Sequence, residues 1–220
     1  MSTETSVRPR APTGVRRSGF ARVLRAGGWT LITAGILVLL FVVYELFVTN
    51  LITDRHQTEL RQDLTQQFRR GGTHSVDPPE PIPGGALGIL RIPRIDLDVA
   101  VVEGVGVTEL KKGPGHYPKT PLPGRGGNVG IAGHRTTYGR PFWGLDRLRT
   151  GDEISLRTAR GTFVYEVRWK RVVDPNFDQV LDHTRRPVLS RTTCNPRFSA
   201  AERLVVRARL VRAPPGVEVG

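Results

Sequence analysis

Apolar residues are arranged in three different ways along this chain. From Trp29 to Val48 the sequence WTLITAGILVLLFVVYELFV is apolar apart from Glu45. At roughly 1.5 Å per residue such a helix crosses a hydrocarbon layer of about 30 Å, and it lacks the polar stripe of a soluble amphipathic helix. The run ends in Leu-Phe-Val-Thr-Asn without an Ala-x-Ala site, so it is read as an uncleaved transmembrane anchor. The next segment, residues 53–70, is mostly polar, with Leu60, Leu64 and Phe68 forming a narrow stripe. That spacing predicts a helix, either a juxtamembrane stalk or one packed lightly on a domain. Residues 71–85, GGTHSVDPPEPIPGG, cannot hold a helix and read as a linker.

Beyond Gly85 the pattern shortens to β-type runs. They cover Ala86–Ile92, Leu97–Val102, Asn128–Gly133, Glu153–Arg157, Thr162–Val173, Val188–Thr193 and Leu204–Val211, separated by Gly, Pro and Asp turns. Short helical turns are expected near Thr108–Lys112 and Phe142–Leu148. Many short strands with few helices predict a mainly β domain, a barrel or a sandwich. The expected organisation is a basic tail (1–28), an anchor (29–48), a stalk helix and linker (49–85), a β domain (86–213) and a short C-terminal tail (214–220).

Charge sets the expected topology. The formal net charge is +13, carried by 29 Arg and 4 Lys against 20 acidic residues. Before the anchor stand Arg8, Arg10, Arg16, Arg17, Arg22 and Arg25 against Glu4 alone. By the positive-inside rule that tail stays in the cytoplasm, and everything after about Thr49 lies outside. The Arg excess fits either a G+C-rich coding bias or a basic surface facing lipid headgroups or wall polymers. No nucleic-acid module is present, and nucleic acid is not an expected partner. The single Cys excludes an internal disulfide and any CxxC site, and no His pair has the i, i+4 spacing of a helical zinc site. No metal or other cofactor is expected.

In an exported domain that lone cysteine, Cys194, is a buried inert residue, an intermolecular link or a reactive thiol. Three residues lie at strand edges: His134 closes Asn-Val-Gly-Ile-Ala-Gly-His, Cys194 closes Val-Leu-Ser-Arg-Thr-Thr-Cys before Asn195-Pro196, and Arg203 opens the last strand. Antiparallel pairing of the last two strands would set Cys194 beside Arg203. Alternation then places Leu204, Val206, Ala208 and Leu210 on one face and Arg203, Val205, Arg207 and Arg209 on the other. The same argument leaves the position of His134 open. Thiolate chemistry needs these three types together, because a free thiol is mostly protonated at neutral pH, an imidazole can carry the proton, and a guanidinium can hold an oxyanion. Taken singly, each has an ordinary structural explanation.

The wording around them is more specific. Ala132-Gly133-His134-Arg135 after an apolar strand, and Thr192-Thr193-Cys194-Asn195-Pro196 with Arg203 nine positions beyond the Cys, resemble the two signatures of sortases. Pro141-Phe142-Trp143-Gly144-Leu145 leading into Gly151-Asp152-Glu153-Ile154, and Leu90-Arg91-Ile92-Pro93-Arg94-Ile95, resemble further sortase stretches. The Thr-Thr-Cys-Asn-Pro context and Arg-rich composition resemble the class E branch, associated with Leu-Ala-x-Thr-Gly rather than Leu-Pro-x-Thr-Gly sorting signals. The resemblance implies a closed β-barrel, with Cys194, His134 and Arg203 as catalytic residues and Thr193 assisting substrate placement. It also implies exported proteins bearing a C-terminal sorting signal as substrates, and a peptidoglycan-precursor amine as acceptor. A pilin Lys or water could resolve the same thioester, and a non-catalytic wall-binding β domain is the alternative of another class. The L,D-transpeptidases use a His-Gly-Cys context, against which Thr-Thr-Cys argues. Families of this type usually carry an apolar residue where Arg191 stands, so Arg191 is expected to face solvent or the substrate groove.

Overall fold

The structure, a computed structural model, describes residues 18–71 and 81–217. The tail arginines Arg8, Arg10, Arg16 and Arg17, most of the Gly/Pro linker and the last three residues lie outside the described residues. The chain divides into two compact units, Met1–Glu45 and Leu46–Gly220. Helix α1 runs Ser18–Gly71. Within the first unit, Gly19–Tyr44 is long and apolar enough to cross a membrane, beginning ten residues before the span read from the sequence. Its apolar side chains, Leu31, Leu37 and Phe41 among them, are exposed.

The second unit is a closed barrel of eight strands ordered β1-β2-β3-β4-β7-β8-β6-β5. The strands are β1 (Ala86–Ile92), β2 (Leu97–Glu103), β3 (Gly115–His116), β4 (Asn128–Ala132), β5 (Glu153–Thr158), β6 (Gly161–Val173), β7 (Val188–Asn195) and β8 (Glu202–Arg212). Antiparallel pairing of β1 with β5 closes the ring, which removes free edges. Two pairs are parallel, β2 with β3 and β4 with β7. The two-residue strand β3 has no periodicity of its own, and the sequence offered no sign of it. The expected helical turn at 108–112 is helix α2 (Val107–Lys112), and the expected turn at 142–148 narrows to a 3-10 turn at Leu145–Arg147.

Period-2 alternation fills the barrel. Leu90, Ile92, Val129, Ile131, Ile154, Leu156, Phe163 and Leu189 belong to one buried cluster with Leu204, Val206 and Ala208 of β8. Phe142, Leu145 and Leu148, from the segment after β4, join the same cluster. The outer half of α1 belongs to this unit and packs on it. Leu60 and Leu64 are buried against Ala100 and Val102 of β2, with Phe68 alongside. Each such leucine contributes about 2 kcal/mol by leaving water. Gln57 fixes the position: its Nε2 donates to Ala100 O at 3.1 Å and Lys112 O at 2.8 Å, and its Oε1 accepts the Ala100 N–H at 2.8 Å. Arg61 adds an ion pair to Asp98 at 2.7 Å.

Arg191 corrects one expectation. Its side chain faces neither solvent nor a groove; it is wholly buried and pairs in register with Val206 of the core. The reason is the pleat: Leu189, Arg191 and Thr193 share the inward face of β7, and the register set by their neighbours overrides the charge. Nη2 donates to Val206 O at 3.3 Å, while Nε and Nη1 have no partner. Burial pushes the guanidinium down to about 9, with Tyr165 acting in the opposite direction.

Candidate active site

The ends of three neighbouring strands form the site. In the antiparallel pair β7–β8, Cys194 lies directly across from Arg203. Arg203 Nη1 points at Cys194 Sγ from 3.8 Å, and donates to the carbonyls of Ala200 at 3.1 Å and Glu202 at 3.2 Å. Both side chains are half-buried, on the outward face of the sheet. A cis peptide joins Asn195 to Pro196, at the point where β7 ends.

The parallel pair β4–β7 settles where His134 lies. Every partner pair, from Asn128 with Val188 to Ala132 with Thr192, is offset by 60 positions, so the same offset carries His134 to the level of Cys194. Two bonds continue the pairing past the last register point: the Gly133 N–H donates to Thr192 O at 3.1 Å, and Thr193 Oγ1 donates to Gly133 O at 2.7 Å. Adjacent strands lie about 5 Å apart. The backbone positions of His134, Cys194 and Arg203 therefore fall at one level, just past the end of β4 and on the paired strands β7 and β8. Gly133 makes room for the buried Phe142 ring, which a Cβ there would meet at 2.6 Å.

His134 is half-buried, and burial holds its pKa below the ordinary 6.5. Its ring tilts against Tyr138 at a centroid distance of 4.9 Å, and Lys111 Nζ lies 5.7 Å over the far ring. Tyr138, Gly139 and Arg140 all have positive φ, at 50°, 72° and 50°. Two of the three carry a Cβ, so this turn is strained where it presents Tyr138 to the imidazole. Thr193 is buried, and its hydroxyl is the clasp to Gly133 already described.

Sequence reasoning quoted Arg135 but gave it no task. Its guanidinium is only 5% exposed; Nη1 donates to the backbone carbonyl of Cys194 at 3.2 Å and to Asn195 Oδ1 at 2.6 Å. Nη2 lies 3.3 Å from Asp146, which Arg197 grips with both carboxylate oxygens at 2.9 and 3.0 Å. Burial works against the Asp146 carboxylate, yet its own backbone N–H and the two arginines prevail and hold it below 3.8. Arg197 also stacks over Trp143 at 4.4 Å. A single residue thus ties the segment carrying His134, just past β4, to the end of the strand carrying Cys194. Adjacency to His134 was the signal available in the sequence. On the other side, Tyr117 OH and Thr192 Oγ1 share a hydrogen bond of 2.9 Å, two residues before the thiol.

Comparison with known proteins gives a consistent result. The sortase domain profile matches residues 90–211. Sortase SrtE1 of Streptomyces coelicolor is 33% identical over 226 residues, covering 95% of this chain but 63% of that protein, so the chain spans less than two thirds of that relative's length. Sortase D of Bacillus subtilis is 30% identical, with 76% of this chain and 86% of the relative covered. The crystal structure of sortase E1 from S. coelicolor with a tripeptide in the active site superposes with a TM-score of 0.56 at 33% identity, covering 60% of this chain and 91% of that one. Fold and sequence together mark the class as that of the sortase-domain β-barrel proteins. The chain belongs to the sortase family.

Proposed function

We propose that the protein is a membrane-anchored transpeptidase that cleaves a C-terminal sorting signal between Thr and Gly and passes the acyl group to a cell-wall amine. The observation that carries this reading is the Arg203 guanidinium 3.8 Å from the Cys194 thiol, with the register of β4 and β7 bringing the backbone of His134 to the same level. The Cys194 thiolate attacks the Thr carbonyl carbon, and the oxyanion that forms is held by Arg203. His134, as imidazolium, gives its proton to the Gly nitrogen as the C–N bond breaks, leaving a thioester on Cys194. An incoming amine attacks that thioester, His134 takes its proton, and the thiolate departs. Thr193, its hydroxyl engaged with Gly133, serves substrate placement by holding the backbone that carries His134.

Similarity to sortase E proteins favours Leu-Ala-x-Thr-Gly over Leu-Pro-x-Thr-Gly as the signal. The apolar helix Gly19–Tyr44 supports an anchor, and the arginine-rich tail supports a cytoplasmic N-terminus with the barrel outside.

The test is intact-mass analysis of the full chain in detergent, mixed with peptides carrying either signal. A covalent acyl adduct on wild type, absent from Cys194→Ala and released by added amine, is the expected result. A thiol that alkylates freely but takes no acyl group from either peptide would sink the proposed substrate. A thiol inert to alkylation in the folded chain would sink the nucleophile.

A further inference from the structure

Arg94, Arg147, Arg149 and Lys170 converge, together with Asp146, on a cavity of about 470 Å³. The four cations come from separate places: the 3-10 turn Pro93–Ile95, the turn Leu145–Arg147 with the residues just after it, and strand β6. Neither Cys194, His134 nor Arg203 lines it, so it is distinct from the thiol site.

The charges in its wall do not cancel. Asp146 is the one acid lining the cavity, and its carboxylate is already gripped by Arg197 and Arg135 from outside that lining. The next acid, Asp152, accepts the backbone N–H of Arg149 at 2.7 Å and stands 3.9 Å from Arg94 Nε. Lys170 Nζ hydrogen-bonds the backbone carbonyl of Asp146, a neutral acceptor. Among the described residues no carboxylate pairs with the side chains of Arg147 or Arg149. A concave surface with a local excess of positive charge raises the concentration of anions in front of it. Arginine forks match the oxygens of a phosphate two at a time, and lysine supplies a point charge beside them. The volume lies within the range of small-molecule sites and exceeds what a single phosphate fills.

We propose that this cavity binds a diphosphate or polyphosphate group, or the phosphate of a lipid headgroup presented in the same way. Its occupancy does not depend on the thiol chemistry, so Cys194→Ala retains it. The test is calorimetric titration of inorganic pyrophosphate into the full chain, held in nanodiscs of uncharged phosphatidylcholine at physiological salt.

Saturable binding at one per chain, with a Kd below about 1 mM, is expected. The pair Arg147→Gln/Arg149→Gln should weaken it at least about tenfold, the loss of one charge-assisted hydrogen bond. The pair Arg209→Gln/Arg212→Gln removes the same charge from β8 and should change it by less than about twofold. Non-saturating heats, or an equal loss in both pairs, would overturn the proposal, and they would do so whether or not acyl transfer is seen. Glycerophosphoglycerol, a lipid headgroup without its chains, serves as competitor. Displacement of pyrophosphate assigns the site to headgroup phosphate, and failure to displace assigns it to a diphosphate.

Discussion

Two regions of this barrel are built from the same kinds of residue and behave in opposite ways. Where β2 meets β3, His116 is fully buried, with Nδ1 at 2.8 Å from Glu103 and Nε2 at 3.1 Å from Thr120. Thr120 in turn accepts the Gly130 N–H at 3.0 Å and lies 2.8 Å from Tyr117 O, closing the knot. Past the end of β4, and where β7 ends and β8 begins, His134 has among the described residues only a ring contact, and Arg203 reaches the thiol at 3.8 Å. One histidine has both nitrogens engaged by protein and holds strands together. The other has neither nitrogen bonded to protein among the described residues, which suits the proton-carrying role proposed for it. The arginines divide in the same way: Arg135 is locked by bonds as short as 2.6 Å, while Arg203 is held through backbone carbonyls and leaves the thiol at a looser distance. The proposed reactive centre is thus the region where hydrogen-bonding capacity is left open beside a fixed backbone.

The strongest way to break that comparison is to exchange the fates of the two histidines. His134→Ala should lower the transfer rate about a thousandfold in a peptide assay with little change in Tm. His116→Ala should leave the rate per folded molecule within about twofold and destabilise by about 3 kcal/mol, lowering Tm by roughly 10 °C, because Glu103 loses its buried partner. Equal kinetic losses from the two would end the distinction.

Arg203→Ala should reduce kcat by about a hundredfold or more, the loss of one oxyanion-hole donor. Arg203→Lys should recover only part, since a point charge cannot reproduce the fork. Arg135→Ala should cost about tenfold in kcat through a loosened end of β7, with Arg135→Lys recovering part of it. Alkylation kinetics at Cys194, compared across those variants, separate a moved thiol from an unfolded one.

The smallest effect is the titration of His134. Burial disfavours the imidazolium, so its NMR midpoint should fall below 6.5. The sign for stability follows. The unfolded chain takes up the proton first as pH falls below 6.5, so the folded state loses stability on acidification and gains none above that pH. A midpoint above 6.5 would mean that a counter-charge, not burial, governs the ring.

Much of this was legible in the sequence, for reasons that can be named. Strand β8 alternates apart from Val205, so the face bearing Arg203 could be read directly, and its short link to β7 implied the pairing with Cys194. The position of His134 was not legible, because it rests on a parallel pairing between segments 60 residues apart, and no local pattern encodes such a contact. Gln57 escaped notice because a polar residue on a polar helix gives no sign that both ends of its amide are bonded to a barrel. Arg191 was misread because charge was given more weight than alternation, although Leu189 and Thr193 on either side mark the inward face.

That buried arginine has a practical consequence. Arg191 and Cys194 stand on one strand but on opposite sides of it, three residues apart, so robustness and chemistry can be altered separately there. An ion held by one 3.3 Å bond inside an oily barrel is an inefficient filler of that space. Arg191→Met should raise the melting temperature, by about 1–4 kcal/mol in stability, while leaving acyl transfer unchanged. The position is thus a starting point for a hardier variant of this barrel, on the face of β7 opposite Cys194.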